Sequence, residues 1–362
     1  MKILHINLQK SWRGGEQQLA YLMTALHERK IDQILICSEN SKLEDFAKKE
    51  KLQYIALKKG FFQKIINLNK LSKLISSEKI DLIHCHESKG HSLALFTKII
   101  YNFKAKILLH RRVVFPIKGF FSKKVKYSSK YIDLVICISN AVEKVFHETT
   151  GNKNTVIIHS MTDTHLKSSN QRFLTTKYNI PENKTIIGYI AALTFEKDHF
   201  TFLDTAKLLL KENDLHFVLI GEGKEREQLV AYSNQLGLSE YVDFIGFVEN
   251  AKQLIPEIDI LLFTSTKEGL GSTILDFFVA KKPVVTVKNG GSEDLVFNGE
   301  TGFICNPKDS ETLAENIKFL INNPEQKDII VENAYQFVEN NFSIDSITEK
   351  TIDVYAKLIN TD

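Results

Sequence analysis

The run Phe263-Thr264-Ser265-Thr266-Lys267-Glu268-Gly269-Leu270-Gly271-Ser272-Thr273-Ile274-Leu275-Asp276 carries the most chemistry per residue in this chain. A β-branched, apolar stretch ends at Phe263, a glycine-rich loop bearing an acid follows, and helical periodicity begins near Ser272. Gly271 or Ser272 would cap that helix, and its first unbonded N–H groups suit phosphate oxygens. Asp276 falls about one helical turn past the start, so Glu268 and Asp276 could flank a nucleotide sugar, one on the hexose and one on the ribose. A second turn of this kind, Gln9-Lys10-Ser11-Trp12-Arg13-Gly14-Gly15-Glu16, follows the first apolar run. Gly14 and Gly15 would let the backbone approach a ligand at a helix amino terminus, although a Gly-Gly pair equally makes a plain turn. His84-Cys85-His86 places two imidazoles on one face of a strand. They could share a metal, but the sequence shows no third ligand, and a strand-end pair or a satisfied polar edge is the more economical reading.

These residues need strands to aim them. Short apolar runs at 2–7, 33–37, 53–56, 81–84, 106–109, 133–138 and 155–158, then 186–191, 216–220, 242–245, 259–263, 283–287 and 302–305, read as strands. Amphipathic stretches at 15–28, 63–77, 90–101, 140–148, 199–212, 224–236 and 272–280 lie between most of them, and the last 45 residues read as helices ending in 344–359. Strict alternation implies right-handed crossovers and a parallel sheet covered on both faces. The pattern runs twice, with a polar hinge over 160–185 that carries Ser168, Ser169, Asn170, Pro181 and Asn183. The expected architecture is α/β, two Rossmann-like doubly wound domains facing across a cleft. Their spans are 1–165 for the acceptor side, 166–342 for the donor side, and 343–362 as a helix packing back on the first domain. Ligands in such sheets bind beyond the carboxyl ends of the strands.

Composition narrows the function classes. The chain has 362 residues, 43% apolar and 25% charged, so it can bury two cores and is not a disordered polymer. No window resembles a signal peptide or a membrane span, which predicts a cytoplasmic protein. Cys37, Cys85, Cys137 and Cys305 are scattered, which indicates neither a disulfide framework nor a cysteine zinc site. The net charge of +3 hides an asymmetry: residues 1–180 hold 31 Lys and Arg against 14 Asp and Glu, and residues 181–362 hold 16 against 30. A basic half suits an anionic partner or simply solvates exposed helices. The stretch from His110 to Lys126 and the segment Gly60-Phe61-Phe62-Gln63-Lys64 interleave cations with aromatics and could lie on the anionic inner face of a membrane or hold a phosphorylated lipid acceptor. Nucleic acid is the weaker partner, since no nucleic-acid module is visible.

Glu268-x7-Asp276, followed by Pro283-Val284-Val285, Gly290-Gly291-Ser292-Glu293-Asp294-Leu295-Val296 and Gly299-Glu300-Thr301-Gly302, closely resembles the retaining GT-B glycosyltransferases of family four. Ala192-Leu193-Thr194-Phe195-Glu196-Lys197, Leu219-Ile220-Gly221-Glu222-Gly223 and Phe244-Ile245-Gly246-Phe247-Val248 extend the resemblance over about 186–305, and Gly14-Gly15, His110 and Ile138-Ser139-Asn140-Ala141 are its looser landmarks upstream. The resemblance implies a hexosyltransferase of cell-envelope polysaccharide or lipopolysaccharide synthesis. Its donor is a nucleotide sugar, with a UDP-sugar preferred, and its acceptor is a glycan or lipid-linked hydroxyl. The resemblance also implies that no metal is needed: Lys197 and the backbone of Gly271, Ser272 and Thr273 would stabilise the departing diphosphate. Glu268 would hold the sugar, Phe247 and Val248 the base, and Gly15 and Asp276 the remainder of the donor. His110 would stand beside the transferred sugar, with Gly14, Arg111 and Arg112 toward the acceptor. Three positions depart from the family pattern: Ala192 replaces an arginine, and Asp276 and Asp294 replace glutamates. The alternative is a non-catalytic nucleotide-sugar-binding subunit that supports a partner transferase.

Overall fold

Continuous burial along the first strand, β1 (Lys2–Asn7), shows why its sequence is almost uninterruptedly apolar: both faces are covered. The computed structural model describes residues 1–164, 173–181, 183–210 and 214–360. After β1 come α1 (Gly14–Glu28), β2 (Asp32–Ser38), α2 (Lys42–Lys49), β3 (Tyr54–Leu57) and α3 (Phe61–Ser77). Then follow β4 (Leu82–Cys85), α4 (Ser88–Tyr101), β5 (Lys106–Arg111), β6 (Leu134–Cys137), α5 (Asn140–Thr150) and β7 (Thr155–Ile157). These seven strands pair in parallel in the order β3-β2-β1-β4-β5-β6-β7.

The second run comprises α6 (Phe173–Tyr178), β8 (Thr185–Ile190), α7 (His199–Leu209), β9 (Leu215–Ile220), α8 (Arg226–Gln235), β10 (Val242–Gly246) and β11 (Ile260–Phe263). It continues with α9 (Ser272–Val279), β12 (Val284–Val287), β13 (Phe303–Cys305), α10 (Ser310–Asn322) and α11 (Pro324–Phe342). Its six strands are also parallel, in the order β10-β9-β8-β11-β12-β13. Each sheet is thus doubly wound and Rossmann-like. The last helix, α12 (Ile344–Asn360), belongs to the first of two compact units, Met1–Met161 with Ile344–Asp362; the second is Thr162–Ser343. In the first unit, Ile347 and Tyr355 of α12 join Ile3, Leu22, Leu82, Leu108 and Ile136 in one buried cluster.

The thirteen strands among the described residues fall where the sequence places them, within one or two residues at each end. β5 runs on through His110 and Arg111, so the histidine lies on the strand itself. Three helical features differ from expectation. α2 escaped because five of its eight residues are charged, leaving Leu43, Phe46 and Ala47 as its whole apolar signal. α6 occupies part of the stretch read as a polar hinge, held by Glu257, whose carboxylate accepts from the N–H groups of Phe173 and Leu174 at 2.7 Å. Ser168, Ser169 and Asn170 of that hinge lie outside the described residues. α10 begins ahead of the final 45 residues, where Asp309 caps it by accepting from Thr312 N at 3.1 Å. All four cysteines are free and buried. Among the described residues no helix is long and apolar enough to cross a membrane.

Candidate functional site

In the second sheet the order reverses between β8 and β11, and such sheets bind ligands beyond the carboxyl ends of the strands at this switch point. Lys197 arrives from the turn after β8 and Glu268 from the loop after β11, and they meet as an ion pair with only 23% and 15% of their side chains exposed. Backbone bonds hold the two loops together. Thr266 N and Ser265 Oγ donate to Glu196 O at 2.8 and 3.1 Å, and Thr264 Oγ1 donates to Lys197 O at 3.2 Å. The Gly-Gly loop after β12 supports the same arrangement. Glu268 N donates to Asn289 O at 3.2 Å, and Asn289 Oδ1 accepts from Gly291 N and Ser292 N at 3.0 and 2.9 Å. A Cβ on Gly291 would stand 2.6 Å from Leu270 Cα, so only glycine allows this approach. In this loop the carboxylate of Glu293, one place before Asp294, accepts from Asn289 N and Gly290 N at 3.0 and 2.8 Å.

Gly271, at φ +90°, is the cap of α9, and Ser272 is its first helical residue; the sequence had left that choice open. Glycine has no side-chain acceptor, so the N–H groups of Ser272 and Thr273 stay available for an anion, favoured further by the helix dipole. Asp276, farther along α9, accepts from Lys252 Nζ at 2.6 Å, while its burial pushes its pKa up against the pull of Lys252. The two acids picked out in the sequence are therefore each matched by a lysine. Lys252 gave no local signal, because nothing in the sequence ties a residue after β10 to a helix 24 positions later. Phe247, directly after β10, is 74% exposed, Val248 is half-buried, and Phe195, beside Lys197, is 82% exposed. Ala192 is exposed, and its carbonyl accepts from His199 Nε2 at 3.1 Å.

The first sheet reverses between β1 and β4, and a cavity of about 520 Å³ opens at their carboxyl ends, lined by Gly15, Glu16, His86, His110, Arg111 and Arg112 among others. A Cβ on Gly14 meets nothing within 4 Å and one on Gly15 meets only Arg112 Cδ at 3.9 Å, so the protein itself does not require glycine at either position. Glu16 is consumed locally, accepting from Asn7 Nδ2 at 2.9 Å and from Arg13 N at 3.1 Å. The arginines read as part of a surface run are turned inward: Arg111 is buried and donates to Phe115 O, and Arg112 donates to His110 Nδ1 at 3.3 Å. Lys126 likewise leaves the surface run, donating to Ser88 O, Ser88 Oγ and Ser92 Oγ at 2.8, 2.7 and 2.8 Å.

Because arginine only donates, His110 carries its proton on Nε2, an atom without a protein partner. Burial, helped by Arg112, holds His110 well below the usual histidine range, so its ring is neutral. Its ring stacks on His84 with centroids 5.5 Å apart. His84 and His86 are both buried, and His5 joins them, so that the three offer ligand atoms within 4.8 Å of one another. The third imidazole missing from the sequence motif thus comes from β1 across the sheet. His5 Nδ1 and His86 Nε2 share a hydrogen bond at 3.0 Å, and His84 Nδ1 bonds Tyr355 Oη at 2.6 Å from α12. Tyr355 had no motif to reveal it, being 271 residues from its partner.

Residues 170–337 match the family of glycosyl transferases group 1, and residues 12–166 match Glycosyltransferase Family 4. The chain belongs to the group 1 glycosyltransferases. Among curated relatives it is 26% identical over 285 residues to the putative glycosyltransferase EpsD of Bacillus subtilis, covering 73% of each chain. It is 20% identical over 357 residues to the lipopolysaccharide core biosynthesis glycosyltransferase LpsE of Rhizobium meliloti, covering 98% of this chain and 99% of that one. Among solved structures, Anabaena HepE in complex with UDP superposes with a TM-score of 0.85 at 21% identity, over 99% of this chain and 100% of that chain. The same neighbour is also solved with UDP-glucose.

Proposed function

We propose that this glycosyltransferase moves a hexose-type sugar from a UDP-sugar to a hydroxyl of a glycan or lipid-linked acceptor in cell-envelope polysaccharide or lipopolysaccharide synthesis, with retention of anomeric configuration. The observation that carries the proposal is the Lys197–Glu268 pair at the switch point of the second sheet, beside an α9 amino terminus that no side chain caps. A diphosphate has two needs there, a cation and N–H donors, and Lys197 with Ser272 and Thr273 supplies both. Glu268, already positioned by Lys197 and Asn289, accepts from a sugar hydroxyl. Phe247 and Val248 meet the base, and Asp276, steadied by Lys252, takes a ribose hydroxyl. The UDP complexes of the Anabaena neighbour support a uridine donor, and the lipopolysaccharide relative supports an envelope acceptor.

Both candidate acids of the second unit are paired with lysines. The resemblance to the retaining enzymes assigns retention to front-face attack, in which the leaving phosphate takes the acceptor proton, rather than to the opposed carboxylates of glycoside hydrolases. His110 is assigned a place beside the transferred sugar, with Gly14, Arg111 and Arg112 toward the acceptor. No step calls for a metal, and the protein works in the cytoplasm against the inner face of the membrane. The test is donor turnover by the purified chain. UDP-glucose should be consumed with transfer or slow hydrolysis, EDTA should leave the rate unchanged, and UDP-sugars should raise the melting temperature more than GDP- or ADP-sugars. Donor binding without any turnover, restored only by a partner, would instead favour the non-catalytic subunit.

A further inference from the structure

A larger cavity, about 700 Å³, opens in the first unit between α3 and α4 and serves none of the roles above. Its volume falls in the roughly 300–1,000 Å³ range of small-molecule sites. The lining is mostly apolar, formed by Leu8, Leu57, Leu68, Leu93 and Phe96 with Ser38, Asn67 and Ser92 beside them. Around it stand Lys58, Lys59, Lys64 and Lys89, and no carboxylate is among its lining residues. An apolar interior with a basic collar complements a hydrocarbon chain that ends in a phosphate. Phe62, Ile65 and Ile66 on α3 and Ile99 and Ile100 on α4 are exposed around the same helices, and Phe96 stacks on Phe121 with centroids 6.2 Å apart. This apolar rim is a path by which a chain leaves a bilayer. Leu8 and Lys89 line the larger cavity, and their chain neighbours Gln9 and Ser88 line the one that holds His110.

We propose that the cavity between α3 and α4 holds the hydrocarbon chain of a lipid phosphate, and that this lipid phosphate is the anchor of the sugar acceptor. The inference rests on the transferase reading and narrows its acceptor to the lipid-linked class. The occupant is a single extracted chain and not the bilayer surface, because the apolar residues line a concavity, whereas a surface would meet a flat or convex face. The lysine collar binds the phosphate, and the headgroup continues past Gln9 and Ser88 toward His110.

The experiment titrates alkyl phosphates of eight, ten and twelve carbons, below their aggregation concentrations, into the full chain. Affinity is expected to rise with each added CH₂, by up to about fourfold at full burial. Lys59→Glu with Lys64→Glu should weaken dodecyl phosphate at least about tenfold through loss of charge complementarity. Leu93→Trp, which fills the cavity, should abolish the chain-length dependence. UDP-glucose binding should stay at the parent value in both variants, which also shows that they are folded. Chain-length independence, equal competition by inorganic phosphate, or equal competition by phosphatidylglycerol vesicles that extract no chain would each overturn the proposal. A parent that binds dodecyl phosphate but no nucleotide sugar would leave the cavity assignment standing and remove the transferase reading instead.

Discussion

A lysine held against a glutamate in a mostly enclosed crevice has little reason to stay there unless a third group needs both, since a buried ion pair gives little net stability by itself. Lys197→Ala and Glu268→Ala are each expected to lower kcat/KM by roughly tenfold to a thousandfold, as for removal of one electrostatic contact to a transition state. Steady-state rates on UDP-glucose check this, and parental rates in either variant would remove the assignment. Both residues were legible because each sits in an unbroken run directly after a strand. Lys252 and Tyr355 were not, because their partners Asp276 and His84 are joined to them by folding and not by spacing. The buried imidazoles give a second outcome. Burial lowers His5 and His91 to about 3 in the folded state, against 6.5 unfolded. The unfolded chain therefore binds more protons between those values, so stability is complete above pH 6.5 and is lost as pH falls. Each such histidine should cost about 2 kcal/mol by pH 5, and thermal melts between pH 7.5 and 5 should show a steep decline that His91→Asn lessens. The rate should show no inflection from His110 above pH 6.5, where its ring is already neutral in the folded protein.

Among the elements, the loops after β8 and β9 lie so close that a Cβ on Gly221 would stand 1.9 Å from Ala191 O, and one on Gly223 would stand 2.1 Å from Leu193 O. Gly221, at φ +151°, would also be strained with any side chain. Gly221→Ala is expected to destabilise the second unit by about 3 kcal/mol or more, read by urea denaturation. Gly14→Ala provides the contrast. Its Cβ meets open space, so its denaturation midpoint should match the parent, and any loss of turnover then reports on ligand room at the head of α1. Strand positions were readable throughout because strands buried on both faces must be apolar runs. The fifteen residues of α1 carry a repeated apolar stripe and were readable, whereas α2 has only eight residues, five of them charged, and was missed. The basic-aromatic stretch was legible as composition but not as direction. Val114 and Ile117 turn inward with Arg111, while Phe115, Phe120 and Phe121 are exposed.

For the whole molecule, the excess of cations in residues 1–180 remains the clearest long-range signal, and the structure reduces the membrane-facing lysines within its loop to Lys118, Lys123 and Lys124, all exposed. If they face an anionic bilayer, Lys123→Glu with Lys124→Glu should weaken binding to phosphatidylglycerol vesicles at low salt, by about 1 kcal/mol per neutralised lysine and more for reversal. The loss should shrink as salt screens the charges. Cosedimentation measures it, and unchanged binding would mark the pair as a solvated surface. The order of folding is set by where α12 belongs. The second unit is continuous, Thr162–Ser343, whereas the first is completed only by Ile344 onward. During synthesis residues 1–161 therefore leave the ribosome with the place of Ile347 and Tyr355 unfilled, and the apolar cluster around Ile3 and Leu82 stays incomplete until α12 emerges. The unit begun earlier would become stable after the one begun later, and a chain interrupted before α12 would present that open cluster as a target for chaperones and proteases.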